Sequence, residues 1–208
     1  MARSKGRVSD FDDLVAALEP VVSALRKLGV AHYVGGSVAS TLHGAIRSTM
    51  DVDLVCAIDE AHVEPFIVAC GGDYYANPAA AREAVRQRKC FNLIHLPTSY
   101  KIDVFVHRGR RFDESALGRA RPASFGPSAT EPIPVATVED SILAKLEWFR
   151  LTDETSERQW DDVSKLVRLH GSGLDAAYLH DMADTIGVAD LLARLLSQNR
   201  RADEHHSK

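Results

Sequence analysis

The sequence predicts an α/β chain: strands alternating with helices over about residues 1–136, then helices alone over 137–208. Two observations carry this. Four short runs rich in β-branched and aromatic residues (30–34, 51–56, 91–96 and 101–106) are interleaved with stretches of helical periodicity. Beyond a Gly-, Pro-, Ser- and Arg-rich stretch from Arg108 to Pro134, apolar residues recur only at helical spacing. A chain of 208 residues, 45% apolar and 26% charged, can bury a core without disulfide or zinc support. Wholesale disorder, collagen-like repeats and a disulfide scaffold are excluded.

In chain order, Phe11, Leu14, Val15, Leu18, Val21, Val22, Leu25 and Leu28 share one face of a helix over about Asp10–Leu28. Ser9 is its predicted cap, Gly29 its end, and Pro20 lies inside. Val30–Val34 reads as a strand running into Gly35-Gly36-Ser37, with a short helix from Val38 to about His43. Asp51–Cys56 alternates as a second strand, and Asp59 caps a helix to about Cys70. Tyr74-Tyr75 reads as a weak strand and Pro78–Lys89 as a helix. Phe91–Leu96 and Lys101–Val106 form two strands joined at Pro97-Thr98-Ser99. Arg108–Pro134 is read as the boundary stretch. Thr137 then caps a helix with Ile142, Leu143, Leu146 and Phe149 on its apolar face. Helices follow over about Glu154–His170, Leu174–Ile186 and Val188–Gln198, with a polar, frayed tail from Arg200.

The three cysteines, Cys56, Cys70 and Cys90, form no C-x-x-C pair and read as buried small hydrophobes in a reducing compartment. No stretch approaches the ~18 apolar residues of a membrane span, and the N-terminus lacks the apolar core of a secretory signal. These features predict a cytoplasmic protein with no membrane partner. A net charge of −4 argues against non-specific coating of nucleic acid and leaves room for a local basic groove. The nine histidines fall into no metal-ligand spacing, and Trp148 and Trp160 read as core.

Asp51 and Asp53 are two apart on a strand and therefore point to one face. They repel each other there unless a cation is shared. Asp103 interrupts a second apolar strand, and if the two strands are neighbours three carboxylates converge. With no His or Cys among them, the expected ion is hard: Mg²⁺ or Mn²⁺. Gly35-Gly36-Ser37 sits between a strand and a helix, where glycine amides and a helix N-terminus suit phosphate.

Taken together, G-G-S, then Arg47-Ser48-Thr49-Met50-Asp51-Val52-Asp53-Leu54, then Lys101-x-Asp103 resembles the polymerase-β-like nucleotidyltransferase superfamily. The interval from Ser37 to Asp51 is fourteen positions, longer than the commonest family spacing. Glu139-Asp140 through Lys145-Leu146, and Arg158-x-x-Asp161-Asp162-x-x-Lys165, resemble the helical half of minimal nucleotidyltransferases. Among these are the abortive-infection toxins of type IV toxin–antitoxin systems. The resemblance spans roughly residues 30–170. It implies a mixed central sheet flanked by helices and followed by a helical bundle, with a catalytic domain over 1–136 and a helical domain over 137–208.

The implied activity moves a nucleoside monophosphate from a nucleoside triphosphate to an acceptor hydroxyl and releases pyrophosphate. Asp51, Asp53 and Asp103 would be the catalytic metal ligands. Gly35, Gly36, Ser37, Arg47, Lys145 and Asp161 would bind nucleotide, with Asp162 the alternative to Asp161. The acceptor would be RNA, such as a tRNA 3′ end, or a protein. A toxin would add a cognate antitoxin as partner. Two basic clusters, Arg82/Arg86/Arg88/Lys89 and His107/Arg108/Arg110/Arg111, could line an RNA backbone, and the second tips the choice toward RNA. The alternatives are an antibiotic-type transferase with a small hydroxylated acceptor and a non-catalytic member that binds a partner.

Overall fold

A computed structural model describes the backbone of residues 6–45 and 49–206 and the side chains of 11–45 and 49–199. Helix α1 (Gly6–Lys27) begins ahead of the predicted cap, so Ser9 lies inside it. Leu14, Leu18, Val21, Val22 and Leu25 are buried along one stripe, and Gly29 ends the turn with φ +68°. Strand β1 (His32–Val34) leads into α2 (Gly36–Leu42). That helix starts two residues earlier than the apolar pattern indicates, so Gly36 and Ser37 form its first turn. Strand β2 (Asp51–Cys56) and α3 (Glu60–Cys70) lie where predicted. Asp59 caps α3 by accepting from the amides of Ala61 and His62.

Strand β3 (Tyr74–Tyr75), helix α4 (Pro78–Arg86), strand β4 (Cys90–His95) and strand β5 (Lys101–Val106) follow. The 108–134 stretch is more ordered than its composition suggests. It holds helix α5 (Arg111–Arg119) and strands β6 (Arg121–Ala123) and β7 (Ile133–Val135). The two strands are three residues long and pair Pro122 against Pro134. Proline gives neither the donor nor the propensity that marks a strand in sequence. Helices α6 (Val138–Leu151), α7 (Glu157–His170), α8 (Ala176–Thr185) and α9 (Ala189–His206) complete the chain, with α9 running well past the predicted end at Gln198.

Among the described residues the strands form one mixed sheet of seven, in the order β3-β4-β5-β2-β1-β7-β6. β2 runs parallel to β5 and antiparallel to β1, and β7 joins β1 in parallel. Side-chain alternation divides the sheet into two faces. Val52, Leu54 and Cys56 of β2 and Ile102, Val104 and Val106 of β5 are buried in the core. The opposite face carries Asp51, Asp53 and Val55 beside Lys101, Asp103 and Phe105. α6 packs on α2 and α7 and covers part of this second face. Among the described residues no helix is long and apolar enough to cross a membrane.

Candidate active site

The register of the two parallel strands sets Asp53 directly beside Asp103, and Asp51 beside Lys101. The three predicted carboxylates therefore share one sheet face. Their environments differ. The Asp51 side chain is 59% exposed and that of Asp103 18% exposed. Asp53 is more enclosed, and its carboxyl is pushed up to about 6, first by burial and then by the neighbouring Asp103. Lys145, Asp51 and Lys101 act on it more weakly, the two lysines downward and Asp51 upward.

Gly35 and Gly36 both lie against Asp53, the first at its backbone and the second at its carboxylate. The Gly35 amide donates to the Asp53 carbonyl at 2.8 Å. Gly36 takes φ +56°, and a β-carbon there would overlap the Asp53 carboxylate. Glycine is thus required twice at this position, for its dihedral and for its missing side chain. Ser37, in the next position, lines the same cavity.

From the other side, α6 brings Lys145 over the acids. Lys145 is 5% exposed, and its Nζ donates to Asp162 Oδ2 of α7 at 3.0 Å. Asp161 lies elsewhere: it pairs with Lys165 one turn along on the exposed side of α7. The apolar stripe of α7, Val163, Leu166 and Val167, is buried together with Asp162. That periodicity was the available signal for preferring Asp162. Arg47 lies outside the described residues.

Sheet and helices enclose a cavity of about 330 Å³. Gly35, Gly36, Ser37, Asp53 and Lys145 line it, together with Phe105 and Trp148. Trp148, read as core from sequence, is 44% exposed, with its ring 6.0 Å from that of Phe105. Cys90 is likewise exposed, while Cys56 and Cys70 are buried as expected.

A residue given no role from sequence is Lys101. Its Nζ lies 2.9 Å from Asp103 Oδ2 and 3.4 Å from Asp51 Oδ1, and these partners raise its pKa. Among the described residues no three His, Cys, Asp or Glu side chains stand ready as a metal-holding group. The ammonium of Lys101 holds the position between two of the acids. The donor chemistry nevertheless fits Mg²⁺ or Mn²⁺: three carboxylates on one face, one of them crowded enough to resist ionisation.

The basic clusters are largely matched by acids. Arg110 forks onto Asp113, Nη2 to Oδ1 at 2.8 Å, and also meets Glu147; Asp113 first and then Glu147 drive its pKa up. Arg111 binds Asp181, and Arg108 comes within 3.9 Å of Glu147. In the first cluster Arg82 pairs with Glu64, and Arg86 with Glu60 and Glu83.

The mixed sheet, its flanking helices and the cleft under α6 define a nucleotidyltransferase-like fold. Solved structures of similar shape include an antigenic nucleotidyltransferase-like protein from Paracoccidioides brasiliensis: TM-score 0.59, 13% identity, covering 94% of this chain and 91% of that one. The antibiotic-resistance factor ANT(2'')-Ia gives a TM-score of 0.50 at 16% identity, over 93% of this chain and 97% of its own. Its complex with adenylyl-2''-tobramycin gives 0.50 at 12% identity, over 83% and 96%. At these identities the likeness is one of fold. No family model matches the sequence, and no curated protein does.

Proposed function

We propose that this chain is a metal-dependent nucleotidyltransferase, with a catalytic domain over 1–136 and a helical domain over 137–208 that completes the nucleotide site. The observation that carries the reading is the surroundings of Asp53. One cavity wall sets it beside Asp103, against the bare backbone of Gly36 and within the field of Lys145. A half-buried carboxylate crowded by two others costs stability, and a cation-dependent site accounts for its retention.

Asp51, Asp53 and Asp103 would hold Mg²⁺ or Mn²⁺, which when bound neutralises phosphate charge and acidifies an acceptor hydroxyl. Asp103 lies on the β4 side of the pair and accepts a hydrogen bond from that hydroxyl. The acceptor oxygen gives up its proton to Asp103 and bonds to the α-phosphorus while the bond from that phosphorus to the bridging oxygen breaks, releasing pyrophosphate. Gly35, Gly36 and Ser37 offer backbone room to the phosphates, and Lys145 neutralises their charge. Asp162 holds Lys145 in that position. With nucleotide, Mg²⁺ and unpaired cysteines all at home in a reducing, nucleotide-rich compartment, we place the protein in the cytoplasm.

The acceptor choice turns on the arginines. Arg110 and Arg111 are engaged by Asp113, Glu147 and Asp181, which weakens the case for an RNA-binding groove and favours a small hydroxylated acceptor. The toxin role, with its antitoxin, rests on the sequence resemblance alone. The test supplies Mg²⁺ and each α-labelled nucleoside triphosphate with three acceptor pools: total RNA, protein extract and hydroxylated small molecules. Label on one pool, lost in the Asp51→Ala/Asp53→Ala double variant, is the expected result. No transfer to any pool, with no nucleotide binding, would refute the proposal.

A further inference from the structure

The part of the cavity beyond Lys145 contains polar atoms with no hydrogen-bond partner among the described residues. They are Gln159 Oε1 on α7, Ser141 Oγ on α6 and His107 Nε2 just after β5, the last standing 3.9 Å from the Glu114 carboxylate, beyond hydrogen-bond reach. Buried polar groups are costly to leave unpaired, so three of them around one cavity point to a ligand that satisfies them, and Gln159 and His107 are the two able to read a ring edge. Their chemistry is complementary. The Gly109 amide donates to His107 Nδ1 at 3.1 Å, so in the neutral ring the proton sits on Nε2, which is a donor. Gln159 offers an amide, able to accept and to donate. Beside them the half-exposed ring of Trp148 and the ring of Phe105 give an apolar, planar surface.

We infer that this end of the cavity is a nucleobase subsite. A planar heteroaromatic ring lies against Trp148 and Phe105, and its polar edge is read by Gln159 and His107. The inference rests on the nucleotide reading of the same cavity. It agrees with the order of residues on α6. Lys145 and Trp148 are three positions apart, about 4.5 Å of helix rise, so a ligand with its phosphates at Lys145 carries its base toward Trp148.

The test is calorimetric binding in Mg²⁺, using α,β-methylene analogues of the four nucleoside triphosphates, which cannot transfer, and tripolyphosphate, which has no base. The expected result is that at least one analogue binds about tenfold tighter than tripolyphosphate, within the range stacking and one edge contact give. Gln159→Ala and Trp148→Ala should each erase most of that advantage and leave tripolyphosphate binding within about twofold. Gln159→Glu, close to isosteric, should change the order of preference among the four bases. Nucleotide should also quench tryptophan emission in the native chain and not in Trp148→Phe, which keeps only Trp160. Equal binding of analogues and tripolyphosphate, or variants that weaken both alike, would overturn the subsite and leave the nucleotidyltransferase proposal standing. Failure of every probe, tripolyphosphate included, to bind the native chain would overturn both.

Discussion

Gly36 and Asp53 act as one unit: the glycine has no side chain because the carboxylate occupies the space. Gly36→Ala forces a β-carbon into that space at φ +56°. The strain should cost about 1–3 kcal/mol of stability, read by denaturant unfolding. Displacing Asp53 by about an ångström should cost roughly 10²-fold in transfer rate. Asp53→Asn should act in the opposite sense on stability. It removes a charge that burial and Asp103 both disfavour, so the melting temperature of the metal-free protein at neutral pH should rise while transfer is lost. Mg²⁺ should raise the melting temperature of the native chain and have little effect on Asp53→Asn. A lower melting temperature for the variant would show that Asp53 is held by favourable contacts and not against repulsion. These acids were legible in the sequence because strand periodicity has only two outcomes per residue, and Asp51 and Asp53 fall on the same one. Lys101 was not, because its role depends on the register between β2 and β5, which no local pattern encodes.

At the level of elements, the Lys145–Asp162 pair links α6 to α7 behind the cavity. Lys145→Met leaves Asp162 without its lysine and should destabilise by about 3–5 kcal/mol. The double variant Lys145→Met/Asp162→Leu should recover much of that stability and none of the activity. Asp161→Asn, which removes only an exposed pair with Lys165, should change stability by less than about 0.5 kcal/mol. Thermal unfolding of the four proteins checks the series. The strong elements, β2, β5, α3 and the start of α6, were readable because alternation, caps and apolar stripes agree there. β6 and β7 were hidden because three-residue strands with proline carry little periodic signal, and β7 is held by pairing with β1 and not by its own propensity; α5, nine residues long, was masked by the Gly-, Pro- and Arg-rich composition around it. Neighbouring positions on α7 differ by about 100° in direction, so Asp161 and Asp162 separate only when the buried stripe is followed through Val163, Leu166 and Val167.

The whole molecule is a sheet with a packed face and a working face, and its stability should depend on pH through buried histidines. His32 is held below its ordinary 6.5, chiefly by burial, with Nδ1 2.8 Å from the Val30 carbonyl and Nε2 without a partner among the described residues. His95 is lowered likewise by burial. Both are neutral in the folded chain, whereas the unfolded chain binds protons as pH drops below about 6.5. The unfolded state therefore takes up more protons, and stability is full above that pH and lost as pH falls below it. Asp53, pushed up to about 6, takes up a proton in the fold over the same range and offsets this loss, so the comparison is made without it: melting temperatures of Asp53→Asn between pH 7.5 and 5.5 should decline, and less steeply when His32→Gln is added. Equal slopes would remove His32 from this account. The arginines give a second whole-molecule lesson. Sequence showed their clustering near the Asp103 strand, but not that acids remote in the chain, Glu147 and Asp181, neutralise them. An interaction surface read from charge runs needs the partners that folding supplies.

The central claim concerns which bond of the nucleotide is broken. The most direct measurement follows two labels side by side, one on the α-phosphate and one on the γ-phosphate, in reactions with Mg²⁺ and the acceptor pool that accepts label. The account predicts α-label on the acceptor and γ-label in pyrophosphate, both abolished by Asp103→Ala. γ-Label on the acceptor, or its release as inorganic phosphate with no α-label transferred, would mean cleavage at the terminal phosphate and would contradict it.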